Sequence, residues 1–106
     1  MTEHDVLNAI IRAYGTRTDC RVWRQNTGAA RYGQQVVRFG VPGQADLTGL
    51  LADGRRLEIE VKSSTGRQSP AQAAYQAMIE RFGGIYILAR SVADVADGLE
   101  RAGVTL

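Results

Sequence analysis

The chain has 106 residues, 44% hydrophobic and 23% charged, with a formal net charge of +2. That length suits one domain with a modest core, which a second copy would usefully extend. A single cysteine, Cys20, and a single histidine, His4, exclude an internal disulfide and a Cys/His zinc cluster. No apolar run reaches the ~20 residues of a membrane helix, and the N-terminus lacks a signal-peptide pattern, so a cytoplasmic setting without membrane contact is expected.

Thr2-Glu3-His4-Asp5 forms a capping box. Leu7, Ile10, Ile11 and Tyr14 follow at helical spacing, and Gly15 closes the helix. Arg21 to Asn26 reads as a short strand, Thr27 to Gly33 as a Gly/Ala turn, and Gln35 to Phe39 as a second strand. No acid lies between Cys20 and Ala45, while Arg21, Arg24, Arg31 and Arg38 stand among Trp23, Tyr32 and Phe39. Such a stretch suits a phosphate-facing surface, and equally a solvated pair of strands. Trp23 itself reads as core or interface rather than as a platform for bases.

After the loop Gly40-Val41-Pro42-Gly43, Ala45 to Leu51 and Arg55 to Ser63 read as a hairpin turning at Ala52-Asp53-Gly54. Ser69-Pro70-Ala71-Gln72 opens a second helix with N-cap, Pro at its first position and box partner; its core stripe is Tyr75, Met78, Ile79 and Phe82. Gly83-Gly84 ends that helix. Ile85 to Ala89 is apolar throughout, which predicts a central strand buried on both faces. Ser91 caps a last helix. The predicted class is α/β, with a mixed central sheet flanked by helices in the order α-β-β-β-β-α-β-α. The strand–helix–strand crossover makes the Glu58–Lys62 and Ile85–Ala89 strands parallel neighbours.

Lys62 is the only lysine among 13 basic residues; the others are arginine. A lysine ammonium is a compact charge that can orient a water, and its neutral amine form can deprotonate one, which a guanidinium does poorly. In a strand, Glu58, Glu60 and Lys62 share one face and Leu57, Ile59 and Val61 the other. Asp46 begins the preceding strand of the hairpin and can place its carboxylate beside Glu60. Two carboxylates and a backbone carbonyl make a hard oxygen site suited to Mg²⁺ or Mn²⁺. The same alternation also describes a strand with one wet face and an ordinary surface ion pair.

Trp23-Arg24-Gln25-Asn26-Thr27-Gly28, Gly43-Gln44-Ala45-Asp46, Glu58-Ile59-Glu60-Val61-Lys62 and Ser69-Pro70-Ala71-Gln72 resemble, in order, the sequence blocks of the virus-type replication–repair nucleases (VRR-NUC), a branch of the PD-(D/E)xK superfamily. The resemblance spans nearly the whole chain. Gly43, Gln44 and Ala45 separate Pro42 from Asp46, so the Pro-Asp pair of the superfamily name is absent. The resemblance implies a restriction-endonuclease-like core in a single domain, residues 1–106. It implies a metal-dependent DNA endonuclease in which an activated water attacks the phosphodiester in line, leaving 5′-phosphate and 3′-hydroxyl ends. Asp46, Glu60 and the Val61 carbonyl would hold the metal. Lys62 would act as base or water-orienting group, and Glu3 resembles an acidic residue turned toward the metal. Arg24, Gln25, Asn26, Arg31, Ser63, Ser64 and Gln72 are the candidates for contact with nucleic acid. Gln72 is also the capping partner of Ser69.

A chain of this size is not expected to carry a separate sequence-reading domain, so branched or flapped DNA is the expected substrate rather than a defined site. Symmetric cutting of two strands implies a homodimer. A bacterial cell or phage-infected host is implied by the resemblance. The competing readings are a non-catalytic nucleic-acid-binding module and an RNA-directed nuclease of the same fold.

Overall fold

A computed structural model describes residues 1–25 and 28–106. Helix α1 (Glu3–Tyr14) starts at the predicted box, with Thr2 and Asp5 each accepting the other's backbone N–H. Strands β1 (Cys20–Arg24), β4 (Leu47–Leu51), β5 (Arg56–Val61) and β6 (Ile85–Ala89) form one mixed sheet in the order β1-β4-β5-β6. The first two pairings are antiparallel, and β5–β6 is parallel as the crossover requires. Strands β2 (Gly28–Tyr32) and β3 (Gln35–Phe39) pair only with each other, as a separate ribbon. Helices α2 (Pro70–Arg81) and α3 (Val92–Arg101) complete the chain. Among the described residues no helix is long and apolar enough to cross a membrane.

The odd residues of β5 meet α1 and α3. Leu57 and Ile59 there are fully buried with Ile10, Leu47 and Val95. A fully buried Leu or Ile contributes roughly 1.5–3 kcal/mol, so this layer is a major source of stability. The opposite face of the sheet carries α2, through Tyr75 and Ile79 packed with Ala45 and Tyr86. Helices therefore cover both faces, but α2 covers only the β5–β6 side.

Three expectations need correction. Five strands precede α2, not four, because the segment read as a Gly/Ala turn is largely β2. Gly28-Ala29-Ala30 has no β-branched residue; its strand state comes from pairing with β3 across a two-residue turn whose first position is Gly33, at φ 63°. The apolar strand β6 is at the edge of the sheet, not its centre. It is buried because α2 and α3 sandwich it, and coverage by helices reads in sequence like coverage by strands. Of the expected stripe on α2, Tyr75 and Ile79 are buried, while Met78 and Phe82 are exposed.

Gly43 fixes the loop before β4. The Gln44 N–H closes a turn onto the Val41 carbonyl at 3.0 Å, with Pro42 and Gly43 at its centre. Gly43 has φ 75°, as a type II turn demands. A Cβ built there would lie 2.1 Å from the Ala71 carbonyl oxygen in the first turn of α2. Gly43→Ala is expected to lower stability by roughly 2 kcal/mol or more, from left-handed strain plus the clash, measured by urea unfolding. Gly33→Ala, with open space around its Cβ position, should show only the strain component.

Candidate active site

The sheet places the candidate residues at the C-terminal end of β5. The β4–β5 register pairs Leu47 with Ile59, so continuing it sets Asp46 opposite Glu60. The Asp46 carboxylate accepts the Val61 N–H at 2.7 Å. Within an extended strand the N–H and C=O of one residue leave on the same side, so the Val61 carbonyl also faces the Asp46 edge. The Lys62 N–H leaves on the other side, donating to Ala89 at 3.0 Å.

Both glutamates of β5 are buried: Glu58 is 0% and Glu60 3% exposed. The alternation of charge is thus not a wet face. It is a carboxylate row beneath α2 and the loop before β4. Glu60 Oε2 is buried and has no hydrogen-bond partner among the described residues. Burial, then hydrogen bonding and charge from Asp46, pushes the Glu60 carboxyl up to about 8. The Lys62 ammonium opposes this shift and the Glu3 charge adds to it. Among the described residues Lys62 has no ion-pair partner.

Glu3 reaches the same edge from α1, its carboxylate accepting the Ser63 N–H at 2.9 Å. The structure therefore sets Asp46, Glu60 and the Val61 carbonyl side by side, with Lys62 next in the chain and Glu3 near enough for its charge to act on Glu60. Hard oxygen donors around an orphaned, desolvated carboxylate oxygen fit Mg²⁺ or Mn²⁺. Among the described residues no three His, Cys, Asp or Glu side chains form a metal-holding group. A cation here would rest on the two carboxylates and the main-chain oxygen.

The expected nucleic-acid contacts divide. Gln25 is integral to the site: its backbone N–H donates to the Asp46 carbonyl at 2.9 Å and its amide to the Ala45 carbonyl at 3.1 Å. Gln72 is held as the capping partner of Ser69, accepting its N–H at 2.8 Å, in the turn that Gly43 packs against. Ser63 Oγ is taken by the Gly66 N–H at 3.0 Å, and its carbonyl by Arg90. Ser64 is exposed beside them. Arg24 ends β1, whereas Arg31 lies on the separate ribbon opposite Val36. Asn26 falls outside the described residues.

Sequence reading missed the support beneath this row. Glu58 accepts from the Gln25 amide at 2.9 Å and from the Tyr75 hydroxyl, and from Arg56 Nε at 3.3 Å. Gln44 donates to the Gln25 side-chain oxygen and accepts the Val41 N–H at 2.8 Å. A wholly buried carboxylate thus staples β1 and the 41–46 loop around Asp46. Two glutamates at alternate positions signalled a shared face, but not that α2 would bury them with a tyrosine as donor. Burial and the Glu58 bond push the Tyr75 hydroxyl up to about 12, so it remains a donor throughout the neutral range. Tyr75→Phe leaves that carboxylate oxygen short of a donor and is expected to lower stability by roughly 1.5–3 kcal/mol, checked by denaturant unfolding.

A cavity of about 520 Å³ lies between the β4–β5 turn and the end of α2, lined by Arg55, Met78 and Phe82. It sits at the N-terminal end of β5, away from the carboxylates. No protein-family model matches this chain, and no curated protein matches its sequence.

Proposed function

We propose that the chain is a Mg²⁺- or Mn²⁺-dependent DNA nuclease built on a restriction-endonuclease-like core of the VRR-NUC kind. The observation that carries this reading is the buried Glu60 oxygen beside Asp46, unpartnered among the described residues, with the chain's one lysine directly after the end of β5. Burying adjacent carboxylates without a counter-charge is costly, and a divalent cation relieves it. When bound, the cation would polarise the phosphodiester and acidify a water. Asp46 and Glu60 would hold it, and Lys62 would orient the attacking water, offset charge on the pentavalent phosphorus or, as the neutral amine, accept the water's proton. Glu3, whose carboxylate accepts the Ser63 N–H, would add negative charge near the site. Arginines would bind phosphates and make binding steeply salt-dependent. Symmetric cutting of both strands would need two such sites, which a homodimer would supply.

The test is cleavage of supercoiled plasmid, a flap and a four-way junction with Mg²⁺, Mn²⁺ or EDTA, comparing wild type with Asp46→Ala. Cutting that needs the cation and disappears in the variant supports the proposal. Equal DNA binding by both proteins without any cutting would replace it with the binding-module reading.

A further inference from the structure

On the sheet face that α2 leaves open, a groove of about 460 Å³ is lined by Trp23, Arg24, Gln25, Gln44, Leu50 and Arg56, among others. Trp23 and Leu50 are each 49% exposed, so this tryptophan is outside the core, unlike a β1 residue packed beneath α1. We infer that the groove is a binding site for an unpaired nucleotide, with the Trp23 indole as the stacking surface and Arg24 and Arg56 as phosphate contacts. The inference rests on the nuclease reading for its place beside a cleavage centre, and names the substrate feature that centre selects.

Three observations converge. The ionic groups at the groove's surface are cations, while the one carboxylate beneath it, Glu58, is fully buried. The volume is that of a small-molecule site, roughly 300–1,000 Å³. And the groove is continuous with the carboxylate row through Gln25, which bonds to Asp46 and Glu58 alike. Trp23 is paired with Thr48, and Thr48 with Glu58. Strand spacings of ~4.8 Å and a two-residue step of ~7 Å put the Trp23 backbone about 12 Å from that of Glu60.

Aromatic stacking accepts any base, provided its π-face is free. Within a duplex both faces of a base are occupied by its neighbours. A tryptophan lying on a sheet therefore selects ends, flaps or gaps over continuous duplex. A second copy is the poorer occupant: a two-fold interface here would bring Arg24 and Arg56 against the same cationic face.

Trp23 is the only tryptophan, so its fluorescence reports the site directly. Full-length protein in EDTA is titrated with oligothymidylate, oligouridylate, an abasic oligomer of equal charge and a blunt-capped hairpin duplex. Quenching by either single-stranded oligomer, and not by the abasic oligomer or the duplex, supports the site; the two arms separate DNA from RNA as its source. By anisotropy, Trp23→Ala should weaken oligothymidylate binding about 10-fold or more while sparing the abasic oligomer, and Trp23→Phe should recover most of the loss. Equal loss for both oligomers, or equal quenching by duplex, overturns the inference. So does a change in sedimentation on Trp23→Ala, which would assign the face to contact between copies. Cleavage is scored separately: base-dependent quenching without metal-dependent cutting retires the nuclease reading and keeps the groove, and cutting without base dependence does the reverse.

Discussion

Lys62→Ala is expected to slow metal-dependent cleavage by roughly 10²–10⁴-fold, the usual contribution of a positioned acid–base group. Lys62→Arg should not restore it. The Lys62 backbone, bonded to Ala89 directly after β5, holds this ammonium near the carboxylate edge, where its charge acts on Glu60. A planar guanidinium is bulkier, stays charged and cannot take a proton. Neither change should weaken DNA binding much, since the other cations of the chain remain. The measurement is single-turnover nicking of plasmid beside an equilibrium binding titration in Ca²⁺ or EDTA. A Lys62→Ala protein that cuts within a few-fold of wild type would make the lysine an ordinary surface charge. It would also leave the arginine-rich composition without bearing on mechanism.

The second large effect is on stability, and its sign is opposite to the common carboxylate case. Glu60 titrates at about 8 in the folded, metal-free protein, against an ordinary 4.5. Between these values the folded chain holds a proton that the unfolded chain has released. The contribution is therefore fully present at low pH and is lost as pH rises toward 8. Each pH unit in that window removes up to about 1.4 kcal/mol, so metal-free protein should lose a few kcal/mol between about pH 5 and pH 8. Glu60→Gln should flatten this dependence. Millimolar Mn²⁺ at pH 8 should raise the Tm of wild type and leave the variant unchanged, through binding to the folded state alone. Thermal unfolding at four pH values with EDTA or Mn²⁺ reads all of this. Parallel pH profiles for wild type and Glu60→Gln would remove Glu60 as the group responsible.

Much of this architecture was legible because its signals are local. Thr2, Ser69 and Ser91 cap the three helices as their spacing predicts, and the β5–α2–β6 crossover sets a parallel pair. The placement of Asp46 opposite Glu60 was legible because a strand has period two and a hairpin aligns its ends. What escaped is tertiary. The burial of Glu58 depends on a tyrosine from a later helix and a glutamine from an earlier strand. The β2 strand exists only through its partner. Trp23 is exposed because α2 lies over β5 and β6 and stops short of β1, which no pattern within β1 can express.

The pairing of β1 with β4 has one more consequence. These strands are antiparallel neighbours, so a short turn could join them; the chain instead makes a long excursion that folds upon itself as the β2–β3 ribbon. Topologically the ribbon is a graft on a hairpin loop. Excising residues 28–39 while keeping Gln25 and the 41–46 loop would leave every strand of the main sheet its neighbours. The shorter connection would even reduce the entropy of closing the loop, by about 0.6 kcal/mol per halving of its length. Evolution can therefore lengthen, recharge or discard this appendage without renegotiating the scaffold, much as a tool handle accepts different blades.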